Sequence, residues 1–284
     1  MTDAATAQRI KEQQTKHWNT VAEGWSAWLT WTERQFAPLT DWFVERAAWA
    51  PGARVLDVAC GAGYPALAAA RRVRPGGSVV ASDIAPEMIA VTSSAAAAAG
   101  LDNVECRTMD AEALAIDDAS IDAVTNAYGL MFCPDPSRAI REAHRVLKPG
   151  GRIAVVTWDE LSRSPFFNVI LPVGAKHLSL APPAAPGAPG PFRFSLPGEM
   201  ELLLRDAGFV DLQVESRPMS LAFESVAQYC QIFTDVAWKA RIAALSPPQL
   251  KAFLDDVADA VQPHMAGSEV RLVATSLCAS GRKV

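Results

Sequence analysis

From Arg54 to about Thr157, short apolar runs that read as strands alternate with stretches patterned for helix: RVLDVA, PALAAARRV, SVVASDI, PEMIAVTSSAAAAAG, VECRTMD, IDAVTNAYG, SRAIREAHRVL and RIAVVTW. Parallel strands need a long crossover between them, and a helix is the usual one. The series therefore predicts an α/β fold, a doubly wound and mostly parallel sheet covered by helices on both faces.

Around this core the pattern changes. Residues 1–50 carry apolar side chains at helical spacing, with Val21, Trp25 and Trp28 on one face, and predict an N-terminal helical extension. The core is expected at 51–161 and again at 198–284. Residues 162–197 interrupt it with a proline-rich stretch, SLAPPAAPGAPGPFRF, which predicts a mobile loop or lid without regular helix. PGEMELLLRDAGF then reads as a helix ended by Gly208, VDLQVES as a strand, about 222–263 as a helical insertion, and VRLVATSLCAS as a last strand.

Composition narrows the function. In 284 residues the net charge is −5, and Lys and Arg are scattered instead of forming the basic stripe that a phosphate backbone requires, so no nucleic-acid partner is expected. The five cysteines lie far apart with no C-x-x-C pair, which argues against a metal site and against a disulfide framework and fits a reducing compartment. No run approaches the roughly 18 apolar residues of a membrane span, and the N-terminus lacks the apolar core of a signal peptide, so a cytoplasmic location is expected.

The strongest local signal is VLDVACGAGYPAL, where a buried strand delivers Asp57, turns through Gly61 and Gly63 and enters a helix. Glycines there admit positive φ and let a ligand approach bare backbone. The spacing Gly61-x-Gly63-x-x-Ala66 also satisfies the dinucleotide fingerprint and does not by itself separate nicotinamide enzymes from other nucleoside binders. Asp83, closing the second strand, stands where a carboxylate accepts from ribose hydroxyls, with a helix cap as the structural alternative. Asp110 closes the third strand beside the backbone N–H of Ala111.

With these motifs and HRVLKPGGRIAVVTW, the chain resembles class I S-adenosylmethionine-dependent methyltransferases, in particular the ubiquinone/menaquinone C-methyltransferase-like (methyltransferase type 11) small-molecule group. The supporting pattern is D-x-A-x-G-x-G at Asp57 to Gly63, Asp83, the Asp110-Ala111 pair, and the Leu147-Lys148-Pro149-Gly150-Gly151 turn before the fifth strand. Tyr64 and Pro65 depart from the small or acidic residues common at those positions. The resemblance implies a Rossmann-like, seven-stranded sheet and S-adenosyl-L-methionine as cofactor, with S-adenosyl-L-homocysteine as product. It assigns Gly61 and Gly63 to the methionine part, Asp83 to the ribose, Asp110 and Ala111 to the adenine, and the side chain or backbone of Asn126 to the methionine amino group. Asp57, Ala59, Ile84 and Met88 are further cofactor-binding candidates. Trp25 on the N-terminal helix would pack against the cofactor.

Methyl transfer from a sulfonium is an in-line displacement, so the protein mainly orients the reactants and excludes water. A base is needed only for a poorly acidic nucleophile. Tyr128, after the fourth strand, and His177 are the catalytic candidates; His17 on the N-terminal helix and His264 near a loop are thinner ones, and His144 reads as an ordinary, partly exposed helical residue. Phe166, Phe167, Phe192 and Phe194 flank the proline-rich stretch and are candidates to line an apolar pocket. The expected function is methylation of O, C or N of a small apolar or aromatic metabolite by a monomer or homodimer. An NAD(P)-dependent reductase and a non-catalytic S-adenosylmethionine-binding module are the alternatives.

Overall fold

The computed structural model describes residues 3–284. Its centre is a sheet in the order β3-β2-β1-β4-β5-β8-β6, with the two-residue β7 (Met265–Ala266) pairing only with β8. The parallel part is β1 (Arg54–Val58), β2 (Ser78–Asp83), β3 (Val104–Thr108), β4 (Ile121–Ala127) and β5 (Leu147–Trp158). β8 (Glu269–Lys283) runs antiparallel between β5 and β6 (Phe209–Phe223). Seven strands thus form the continuous sheet the sequence predicts.

Period-two alternation divides the strand residues between two cores. Val55, Val79, Ala123 and Ala154 enter one cluster, and their neighbours Leu56, Val80, Val124 and Val155 enter the other. The first is covered by α3 (Ala37–Arg46) and α4 (Ala66–Arg72), with Leu39, Phe43, Leu67 and Ala70 buried. The second is covered by α6 (Pro136–Val146) and α9 (Glu199–Asp206), with Ile140, Ala143 and Leu204 buried. β1 and β2, central and buried almost throughout, read as continuous apolar runs. β3 at one edge does not. β6 at the other edge tolerates Pro218, which a central strand could not.

Two parts depart from the expected plan. Within 162–197, α7 (Pro165–Asn168) and α8 (Ile170–Leu178) are helical, because Phe166, Ile170, Val173 and Leu178 bury a helical stripe. Only the Pro-rich segment after them is irregular, and it is anchored: Gly190 N–H donates to the Met131 carbonyl at 2.9 Å, and Phe192 and Phe194 are buried. In addition, β6 runs well past the end of the expected strand VDLQVES, pairing with β8 as far as Phe223 opposite Val270. This long hairpin carries α10 (Val226–Phe233), a π-helical turn (Thr234–Trp238), α11 (Lys239–Ala243) and α12 (Pro247–Val261).

The N-terminal helices α1 (Ala4–Ala27) and α2 (Leu29–Gln35) close over the strand ends. Trp31 stacks on Phe223 at 4.9 Å, its indole N–H donates to the Ala222 carbonyl, and the Trp28 indole donates to Asp235 at 2.9 Å. Gly24 meets the Asp235 backbone so closely that a side chain there would collide with that carbonyl. No described helix is long and apolar enough to cross a membrane.

Candidate functional site

Strand order reverses between β1 and β4, and a crevice opens at the carboxyl ends of the strands at such a point. Here it is a cavity of about 390 Å³, roofed by α1 and α2.

Its first half stands over β1, β2 and β3. The chain leaves β1 through Ala59, Cys60, Gly61 and Ala62, all on the cavity wall. Gly61 has φ +54°, and the space its missing side chain would fill is empty. Asp83 is almost fully buried. One carboxylate oxygen accepts from the Gly61 N–H at 3.0 Å and the other from the Ala85 N–H at 2.9 Å. Burial raises its pKa above the ordinary value against these hydrogen bonds. A carboxylate offers about four lone-pair sites, so capacity remains toward the cavity. Ile84, Met88, Asp110 and Ala111 complete this wall. From α1, the Lys11 ammonium bridges Asp110 at 2.7 Å and Glu112 at 2.6 Å, while Trp18 and Trp25 present their rings. The Gln14 side-chain carbonyl and the Trp25 indole N–H are buried beside the cavity without hydrogen-bond partners.

The second half stands over β4, β5 and β6 and is aromatic. Tyr128 stacks on Trp158 at 4.2 Å, Phe36 lies within 6.3 Å of both rings, and Trp158 meets Phe166 and Phe167. Trp31, Leu221, Phe233 and Val236 close the far end. Val236 and Ala237 belong to the π-helical turn, a distortion that recurs at ligand sites.

The structure thus brings Trp25, Ala59, Gly61, Asp83, Ile84, Met88, Asp110, Ala111 and Tyr128 to one cavity. Four expected site residues lie elsewhere. Asp57 is wholly buried beneath the wall, accepting from the Thr125 hydroxyl at 2.8 Å, with its other oxygen unpartnered. Burial pushes its pKa up to about 8. Gly63 shapes the turn and faces Leu67 and Thr92. Asn126, expected to offer its side chain or its backbone to a ligand amino group, keeps its side chain off the cavity wall. Its amide donates to the Val58 carbonyl at 2.9 Å and accepts from the Gly129 and Leu130 N–H groups, so the side chain is consumed in tying the loop to β1. His177 corrects a catalytic expectation, because it pairs with Asp256 at 2.6 Å between α8 and α12, away from the cavity.

Tyr128 reaches the cavity but is not built as a base. Its hydroxyl shares a 2.7 Å hydrogen bond with Ser276, and burial holds its pKa well above the usual tyrosine value. Of the four phenylalanines, Phe166 and Phe167 line the cavity. Phe192 packs behind Phe167, and Phe194 joins the opposite core. Sequence reasoning missed Lys11, Gln14, Phe36, Leu221 and Trp158, which reach the site only through tertiary packing. His17, a thin candidate from the sequence, lines the cavity against Trp18, and desolvation lowers its pKa. Among the described residues, no group of three or more His, Cys, Asp or Glu side chains is arranged to hold a metal ion.

Comparison with known proteins agrees with this geometry. Residues 56–155 match the family described as "Methyltransferase domain". An uncharacterized Mycobacterium tuberculosis protein, Rv1405c, is 40% identical over 126 residues, 44% of each chain. Nocamycin O-methyltransferase of Saccharothrix syringae is 37% identical over 177 residues, 57% of this chain and 61% of that one. The chain therefore spans less than half the length of the first curated relatives it matches. Among solved structures, the [4+2]-cyclase SpnF superposes with a TM-score of 0.54 at 24% identity, covering 87% of this chain and 80% of its own. The family match is thus confined to residues 56–155, and the fold that carries them, a mostly parallel sheet covered by helices, is shared with that solved structure.

Proposed function

We propose that the protein is an S-adenosylmethionine-dependent methyltransferase acting on a small apolar or aromatic acceptor. One observation carries this reading: a glycine turn and a buried carboxylate meet an aromatic chamber within a single cavity at the strand-order reversal. The open space above Gly61, the spare lone pairs of Asp83 and the unpartnered Gln14 carbonyl suit a nucleoside carrying an amino-acid tail. In this reading Asp83 holds the ribose hydroxyls, Ala59 and Gly61 the methionine portion, and Asp110, Ala111, Ile84 and Met88 the adenosine. Trp18 and Trp25 cover it. When bound, the cosubstrate supplies an activated methyl group on sulfonium sulfur. The chain aligns the acceptor with that carbon and keeps water out, which is where the rate advantage of such a displacement arises. The five free cysteines, three of them buried, support a reducing cytoplasm as its compartment.

The fold also serves a cyclase, so the activity rests on a direct test. Calorimetric titration with S-adenosylmethionine, S-adenosylhomocysteine and NADH is expected to show binding of the two adenosyl compounds. Asp83→Ala should weaken both by roughly a hundredfold, as expected for losing two hydrogen bonds to a charged group. Binding of NADH alone would replace this reading with a reductase, consistent with the Gly61-x-Gly63-x-x-Ala66 spacing.

A further inference from the structure

The two halves of the cavity differ in charge. Every lining side chain able to carry formal charge near neutral pH stands in the β1–β3 half or on the part of α1 above it: Lys11, His17, Asp83, Asp110 and Glu112. Among the described residues, the aromatic half has no acidic, basic or imidazole side chain on its wall. Its polar groups are neutral and most are in use, while the Thr32 hydroxyl, buried on the wall without a hydrogen-bond partner, is too weakly basic to take a proton. The Tyr64 hydroxyl donates to the Phe36 carbonyl at 3.1 Å, Tyr128 is held by Ser276, and the Trp31 indole donates to Ala222. Charges just behind the wall are likewise engaged. Asp235 accepts from Trp28 and Gln231, and Asp159 from Arg163 and Ser216. The neighbouring thiols are neutral, since burial pushes Cys278 and Cys133 up to about 12 and Cys60 also well up.

Resting on the methyl-transfer reading, we infer that the acceptor is a flat apolar compound whose nucleophilic oxygen ionises by itself near neutral pH, an acidic phenol or enol, and that the protein supplies no base. An ordinary alcohol would need a base within hydrogen-bond reach, and the chamber holds none. A neutral amine would move the cosubstrate's positive charge onto the product inside an apolar chamber with no carboxylate to receive it. The stacking of Tyr128 on Trp158 and of Phe166 on Phe223 also uses ring faces that a cation cage requires. An oxyanion instead cancels the charge. It meets a sulfonium in a low-dielectric space where opposite charges attract strongly, and the product leaves neutral. The acceptor's proton goes to solvent before binding. An oxygen lone pair forms the C–O bond to the methyl carbon as the C–S bond breaks, and that bond's electron pair stays on sulfur.

The test uses 4-nitrophenol, whose phenol and phenolate forms absorb at different wavelengths. Titrated on the protein with sinefungin, which carries an ammonium group in place of the sulfonium, its bound form should ionise about one pH unit lower than with the uncharged S-adenosylhomocysteine. In turnover with 2-hydroxy-1,4-naphthoquinone, 4-nitrophenol and 1-naphthol, the pH midpoint of kcat/KM should move with the acidity of the acceptor, in the wild type and in His17→Ala alike. A midpoint fixed across the three acceptors and lost in His17→Ala would overturn the inference in favour of a protein base. Failure of all three to bind, or methylation confined to amines, overturns the acceptor class. Calorimetric binding of S-adenosylmethionine with no methylated product from any phenol, enol or amine removes the methyl-transfer reading itself, and the inference with it.

Discussion

The two ends of the cavity are built by different physics. Over β1–β3, short loops leave the strands and expose backbone, and the carboxylates there are fixed by hydrogen bonds or an ion pair: Asp83 by Gly61 and Ala85, Asp110 by Lys11 and the Glu112 N–H. Over β4–β6 the wall consists of rings contributed by α2, β5, α7 and α10, elements far apart in sequence. The first end can recognise only a ligand with hydroxyls and charge in set positions, whereas the second selects by shape and desolvation. The matched family segment, 56–155, contains the loops of the first end and little of the second. Resemblance over that segment therefore speaks to the cofactor and is silent about the acceptor.

The sharpest separation of the two ends should come from Trp158→Ala. Removing a large ring that touches Tyr128, Phe36, Phe166 and Phe167 is expected to cost about 3 kcal/mol in stability, read from the urea midpoint. It should abolish acceptor binding yet leave S-adenosylhomocysteine affinity within about threefold, measured by calorimetry at low temperature. Equal loss at both ends would mean that the halves are one cooperative unit.

Asp57, bonded to Thr125, lies on the seam between them. Its folded pKa, raised to about 8 by burial, exceeds its unfolded value, so the folded state holds the extra proton. The stabilisation is complete at low pH and is lost as pH rises through about 8. The stability difference between wild type and Asp57→Asn should therefore shift toward the variant by about 1.4 kcal/mol per pH unit from about pH 5 to 8, then level off. A pH-independent difference in urea titrations would show that Asp57 stays ionised.

The smallest effect concerns the roof of the first end. Lys11→Met leaves Asp110 and the nearly buried Glu112 without their cation. Stability should fall by about 1 kcal/mol, and S-adenosylhomocysteine should dissociate several-fold faster in stopped-flow measurements. An unchanged off-rate would mean that α1 does not hold the ligand in.

The legibility of each end follows from the same difference. β1, β2 and the loops after them are local motifs, in which the residues that line the cavity are the ones that make the turn, so Gly61 and Asp83 could be read directly. Asn126 was legible as a motif position, but that its amide serves the Gly129–Leu130 turn was not. His177 misled because a loop was expected where helix α8 docks on α12. Phe36 and Leu221 have no local signature at all. They become wall residues only when α2 meets the β6–β8 hairpin, in which the length of β6 was hidden because edge-strand residues alternate too weakly to mark an end.

That hairpin also sets an order of assembly during synthesis. Gly24, Trp28 and Trp31 dock on Asp235 and Ala222, about 190 to 210 residues later in the chain. A ribosome adding roughly 5 to 20 residues per second exposes α1 and α2 for ten seconds or more before their partners exist. The loops over β1–β3 can form in that interval, but the aromatic chamber cannot. Its apolar surfaces stay open to water, and to chaperones, until nearly the whole chain has emerged.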